Sequence, residues 1–336
     1  MKESMGMSKP GWWGRFQAKN PIWLLVVAAI LTAIYTTNDG HILHNIIVSS
    51  DPFTAVMAYL TLGGWVGLGI NWLLCQTPAG KLIDPSFEQI KGIDKKAQMS
   101  AILAGVIGAA STLFMLWGSQ IYDPSVVLPL SNAAILFVVS WEVVTGKERF
   151  SDVIWPALLV VIGAFLASVD VESGFYISMA GLIILLFFKN IISAAGEILE
   201  QKGVLASNAT SFNFWRFLWL TVAGTIIALV VSAMRGTLGL YFATLALTPK
   251  AIPWILLTMV LVFFGMGLKS AAKKYTTVSR VSMVMTIPII LGAPLTWLVN
   301  NTWPGTFIEA PMTPIHWFVR IAGAVLIFWG IAKLNR

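Results

Sequence analysis

The chain has 336 residues, of which 57% are hydrophobic and 11% are charged. So little charge, set between so many long apolar runs, excludes a soluble globular domain and marks a polytopic membrane protein. The net charge of +7 is no nucleic-acid footprint, because the basic residues sit in short loops between the runs, and the single Cys75 excludes an internal disulfide or a cysteine metal cage.

Residues 1–20 form a basic cytosolic segment with Lys2, Lys9, Arg15 and Lys19; Trp12, Trp13 and Trp23 suit an interfacial belt beside it. The apolar run that starts at Pro21 is too long for a signal-peptide core and no small-residue cleavage site follows, so it reads as an uncleaved first span. Runs able to cross about 30 Å of hydrocarbon lie near 21–48, 53–75, 98–118, 124–144, 152–169, 175–198, 211–233, 251–271, 276–299 and 315–334. They predict an all-α integral membrane fold of ten transmembrane helices. The polar middle of the first run, Thr36-Thr37-Asn38-Asp39-Gly40-His41, is either a break or a lining face.

Lys and Arg set the orientation. Alternate loops hold Lys81, Lys91, Lys95 and Lys96, then Lys147 and Arg149, then Lys202, then Lys269, Lys273 and Lys274, and the C-terminus adds Lys333 and Arg336. The other side holds only Arg235 and Lys250, beside Asp51, Asp123, Asp170, Glu172 and Glu309. This bias places both termini inside.

Five spans per half give residues 21–170 and 171–336 opposite topology. Spacings agree: Asp51, Thr54 and Tyr59 each precede Asn208, Ser211 and Arg216 by 157 residues. Tyr122, Ser125 and Asn132 similarly precede Tyr275, Ser279 and Thr286. Inverted repeats of this kind are a transporter signature, since exchanging the halves' conformations exchanges the side to which a central site opens.

On these features the chain resembles the drug/metabolite transporter superfamily, in its ten-helix EamA-like branch. The resemblance runs from about Pro21 to Leu334 and rests on Asp51-Pro52-Phe53-Thr54, Asp123-Pro124-Ser125, Pro129-Leu130-Ser131-Asn132, the turn from Gly146 to Ser151, and Ile162-Gly163-Ala164-Phe165. Tyr59 stands where that family usually has an arginine, and the second half restores it as Arg216. The resemblance implies a secondary transporter.

Polar groups at membrane depth are the candidate site, because a charge there costs about 2.5–3.5 kcal/mol on insertion scales. Asp39, flanked by Asn38 and His41, either lines a cavity or partners a cation at the outer interface. Lys189-Asn190, near the middle of the sixth run, either bind an anionic group, pair with Asp39, or let the lysine snorkel. Ser131, Asn132 and Thr286 either hydrogen-bond a solute or glue helices. Arg280 joins them as a cation one turn into the ninth run. Arg216 reads as a structural partner of Glu197 or Glu200, Glu142 as a solvated or gating ion pair with Lys147, and Trp141 and Trp297 as wall or belt residues. Asp39, His41 and His44 have metal-like spacing, but Asp39 points away from the two histidines on a continuous helix.

The expected function is secondary transport of a small anionic or zwitterionic metabolite, with protons as a possible coupling ion, in a plasma or bacterial inner membrane. No cofactor, metal or nucleic-acid partner is expected, and the chain is expected as a monomer or homodimer. A flippase or binding partner for a lipid-linked substrate is the alternative. A membrane enzyme would need a nucleophile and base near one interface; the loop 76–97 has no histidine and His316 is isolated.

Overall fold

The structure is a computed structural model that describes residues 11–121, 134–168, 188–246, 248–304 and 314–334. All elements among the described residues are helices. They are α1 (Trp12–Lys19), α2 (Pro21–Asn45), α3 (Pro52–Cys75), α4 (Ala79–Ile83), α5 (Lys95–Ile121), α6 (Ala134–Val144), α7 (Phe150–Ser168), α8 (Asn190–Leu205), α9 (Ala209–Met234), α10 (Leu238–Leu245), α11 (Thr248–Ala272), α12 (Val278–Val284), α13 (Ile287–Thr302) and α14 (Pro314–Leu334). Among the described residues, 6 helical stretches are long and apolar enough to cross a membrane: α2, α3, α5, α9, α11 and the α12–α13 pair. This is a multi-pass membrane protein.

Local chemistry sets the helix ends. Asp51 caps α3 by accepting from Thr54 N (3.2 Å) and Thr54 Oγ1 (2.6 Å), with Pro52 in the first turn. Asn208 caps α9 in the same way, accepting from Ser211 N at 2.7 Å. Hence the two positions that match in sequence have the same local role. α2 runs unbroken through its polar middle, so there is no break: Thr36, Thr37, Asn38, Gly40 and His41 are buried and Asp39 is half-buried. On the same helix Val27, Ile30 and Ile34 are exposed at helical spacing, the pattern of a lipid-facing stripe.

The ninth run does break. α12 stops at Val284 and α13 starts at Ile287, with Pro288 in its first turn. Proline has no N–H to donate to the carbonyl one turn back, so the ladder is interrupted there.

Packing is mostly between distant segments. α2 lies against α11, α5 against both α8 and α9, α3 against α9 and α11, α7 against α14, and α6 against α8 and α12. Lipid gives helices no hydrophobic drive to associate, so close van der Waals approach through small residues carries much of this. At the α3–α9 crossing a Cβ on Gly64 would meet Thr221 Cα at 3.4 Å. Gly67 faces Phe217 and Gly224 faces Leu60, so the two helices run antiparallel. On α7, a Cβ on Gly163 would meet Gly323 O at 2.5 Å, and that backbone cannot give way.

One end of the bundle carries the Lys/Arg-rich loops and is called the inner end. There Trp13 Nε1 donates to Leu82 O (2.7 Å), Gln17 Nε2 to Ile83 O (3.0 Å), and Thr210 Oγ1 to Gly80 O (2.8 Å). Asp84 accepts from Ala209 N (2.7 Å) and pairs with Lys274 (2.5 Å). Burial alone would raise the Asp84 carboxyl, but Lys274, Ser86 and the Ala209 N–H outweigh it and hold it below the usual carboxylate range. The loop after α3 is therefore fastened to the start of α9. At the opposite, outer end, Arg235 Nη1 pairs with Asp51 at 2.9 Å on the surface.

Glu142 departs from the sequence reading. It is not a solvated partner of Lys147: it is 0% exposed. It accepts from Val278 N (2.9 Å), Ser279 N (3.0 Å) and the Ser279 hydroxyl. Its carboxylate thereby caps α12, where orphan amides and the helix dipole favour a negative charge. Trp141 and Trp297 are largely exposed on the apolar outside of the bundle, so neither walls an interior site.

Candidate functional site

A chamber of ≈ 310 Å³ opens between α2, α3, α5, α8, α9 and α11, with the start of α6 and the α12–α13 break also on its wall. Its middle is apolar and adaptable, with Met115, Met259, Met266 and Met285 on the wall. A hydrogen bond between Ser111 and Ser193 (2.7 Å) joins α5 to α8 there. Charge is concentrated at its two ends.

The outer end is built on Asp39. Its Oδ1 accepts from the Tyr59 hydroxyl and from Thr258 Oγ1 (3.2 Å). Asn38 Nδ2 donates to Thr258 Oγ1 (2.7 Å) and Trp254 O (3.0 Å), which fixes α2 on α11. His41 turns away from Asp39 and packs between Trp254 and Trp303, with ring centroids 4.8 and 5.0 Å away. Among the described residues no group of three His, Cys, Asp or Glu is arranged to hold a metal ion.

The inner end is ionic. Glu197 and Glu200, one turn apart on α8, face Lys269 in the last turn of α11 and Lys273 in the turn just after it. Glu197 pairs with Lys269 and with Lys273 Nζ (2.6 Å); Glu200 pairs with Lys273 (3.0 Å) and accepts from the Ser270 hydroxyl. Lys273 is fully buried despite its place near a helix end. Arg216 reaches in from α9, with Nη1 3.8 Å from Glu200. Its position is set by a close contact: a Cβ on Gly105 of α5 would meet Arg216 O at 2.7 Å. Lys189, just before α8, is buried on the same wall, within electrostatic reach of Lys269 and Glu197.

The sequence candidates divide accordingly. Asp39 and Lys189 line the chamber, and Asn38 supports Asp39 from behind. The partner of Asp39 is Tyr59, not Lys189. Asn190 is fully buried beside Lys189. Thr286 lies in the α12–α13 break, where its hydroxyl donates to Met283 O (2.6 Å). Arg280 is not brought to the chamber: its side chain is 44% exposed and pairs with Glu148 at the inner end (3.5 Å). Ser131 and Asn132 lie outside the described residues. The expected pairing of Arg216 with Glu200 is present, though long.

Sequence reasoning passed over Tyr59, Thr258, Lys269 and Lys273 as site residues. The signal for the lysines was their i, i+4 spacing, matched to the i, i+3 spacing of Glu197 and Glu200.

No family model matches the chain, and no curated protein matches it. Solved structures do. One, described as "Crystal structure of protein", superimposes with a TM-score of 0.54 at 14% identity, covering 94% of this chain and 96% of that one. The fold is thus a known one along nearly its whole length; at this identity the match speaks for architecture alone.

Proposed function

We propose that this protein is a secondary transporter of ten spans, built as two inverted five-helix repeats in the manner of the EamA-like drug/metabolite transporters. The observation that carries this reading is the charged chamber walled by helices from both halves of the chain. The packing supports it. If α2, α3, α5, α6 and α7 correspond to α8, α9, α11, α12–α13 and α14, the helix contacts map onto themselves. The pairing of α2 with α11 then matches that of α8 with α5, and α5 with α9 matches α11 with α3. The pairs α3–α9 and α7–α14 are each their own counterpart. The acids fit as well, since Asp39 precedes the Asp51 cap by 12 residues and Glu197 precedes the Asn208 cap by 11.

The cargo is a small anionic or zwitterionic metabolite, because a carboxylate held by hydroxyls, Asp39, stands at one end of the chamber, and Lys189 and Arg216 line it beside a cluster in which two lysines already match two glutamates. Asp39 takes up or releases a coupling proton, with Tyr59 and Thr258 holding the carboxylate between turnovers. The membrane is the plasma membrane, or the inner membrane of a bacterium.

The test is transport by purified protein in liposomes. A metabolite extract is offered outside, and the solutes retained inside are identified by mass spectrometry. At least one acidic or zwitterionic solute accumulates, and Asp39→Asn and Lys189→Ala abolish its accumulation. Liposomes that retain nothing beyond protein-free controls, or identical retention by both variants, would overturn the proposal.

A further inference from the structure

We infer that Arg216 is the anion-binding group of the chamber, taking a carboxylate or phosphate group of a small solute through its guanidinium. This rests on the transporter reading for its purpose, but on charge and geometry for its place.

The inner cluster is balanced without Arg216. Two carboxylates, Glu197 and Glu200, face two ammonium groups, Lys269 and Lys273. Both oxygens of Glu200 are already engaged, one by Lys273 at 3.0 Å and the other by Ser270. Arg216 Nη1 stands 3.8 Å from the oxygen that Lys273 holds, beyond hydrogen-bond distance. Arg216 Nε is buried and has no hydrogen-bond partner among the described residues. The side chain is only 8% exposed and lines the chamber.

A guanidinium taken out of water with its Nε–H unpaired and its ion pair long is costly. A planar oxyanion fills such a fork with two parallel hydrogen bonds, which an ammonium in the same place does not offer. The chamber supplies room for a small solute next to it, and methionines that adapt to the remainder of the molecule. The Gly105 contact holds the Arg216 backbone, so the fork is presented from a fixed point on α9.

The test is the unfolding midpoint of the purified, detergent-solubilised full chain, titrated with inorganic phosphate, succinate and L-glutamate, with choline and mannitol as controls. At least one anion raises the midpoint saturably, and the controls do not. A rise with phosphate alone assigns the group as phosphate; a rise with succinate or glutamate assigns it as carboxylate. Arg216→Ala removes the rise. Arg216→Lys, which keeps the charge and is checked for an unchanged unliganded midpoint, weakens apparent affinity roughly tenfold. No rise with any of the three anions, or an unchanged rise in Arg216→Lys, overturns the assignment. The two readings fail separately. Arg216-dependent stabilisation without uptake of that anion into liposomes leaves the site standing and sinks the transporter. Uptake with unaltered kinetics in Arg216→Lys does the reverse.

Discussion

The two ends of the chamber solve the same problem with different chemistry. At the outer end one carboxylate, Asp39, is held by two hydroxyls and by no cation among the described residues. At the inner end two carboxylates are held by two lysines and approached by an arginine. A hydroxyl cage suits either protonation state of an acid with little rearrangement. An ionic cluster suits only the charged state, and it penalises removal of any member, because a buried charge is left unmatched. If the protein is the proton-coupled transporter proposed above, the outer end is the one suited to change charge, and the inner end the one suited to keep it.

The strongest way to break this contrast is at Lys273. Lys273→Met leaves Glu197 and Glu200 short of a shared cation and should destabilise the protein by about 3–5 kcal/mol, read as a lower unfolding midpoint in detergent. A variant as stable as the parent would mean that the inner cluster is not a closed ionic unit. Gly105→Ala comes next. Its new methyl meets main-chain atoms of Arg216 and Leu220 that have no room to move, so a loss of about 1–3 kcal/mol is expected. Gly108→Ala, which meets only the tip of Leu220 at 3.2 Å, should cost distinctly less in the same assay.

A pH titration sharpens the picture at the inner loop. The Asp84 carboxyl is held below its usual range, so its stabilising share is fully present above the ordinary carboxylate value near ~3.9 and is lost as pH falls through the depressed value. Asp84→Asn should flatten that acid limb and cost about 2 kcal/mol at neutral pH. An acid limb that is unchanged in the variant would place the titrating group elsewhere. Asp39→Asn should be nearly silent in stability, under about 1 kcal/mol, because the amide oxygen still accepts from Tyr59 and Thr258. The smallest effect belongs to Arg235→Gln at the surface, where an exposed pair is worth about 0.2–1 kcal/mol and fades with added salt.

The parts of this fold that were legible in the sequence are those decided within a turn or two of chain. The first span follows from its apolar run, and the matched positions Asp51 and Asn208 from their spacing; that both are helix caps, and that the polar stretch around Asn38 and Asp39 is helix and not a break, became visible only in the structure. What was not legible depends on distant partners. Lys269 and Lys273 look like loop charges because a count of basic residues treats every lysine at a span's end as solvated. Only the facing Glu197 and Glu200, some seventy positions earlier, draw them inward. Arg280 and Arg216 look alike as helical arginines. The first lies in the opening turn of α12, where it pairs with Glu148 at the rim, while the Gly105 contact holds the second at depth. Glu142 was misjudged for the same reason, since its ligands are amides of a helix that starts 136 residues later.

α3 and α9 cross at their centres. Gly64 and Thr221 sit thirteen residues in from Asp51 and Asn208, near the midpoint of each helix. At 1.5 Å per residue that leaves arms of roughly 20 Å on either side. If the halves rock as proposed, a fulcrum so centred would work like a balanced see-saw: tilting by about 10° would swing each tip by roughly 3 Å. Whatever width one mouth gained, the other would forfeit, with no spring or hinge needed beyond a glycine thin enough to roll on.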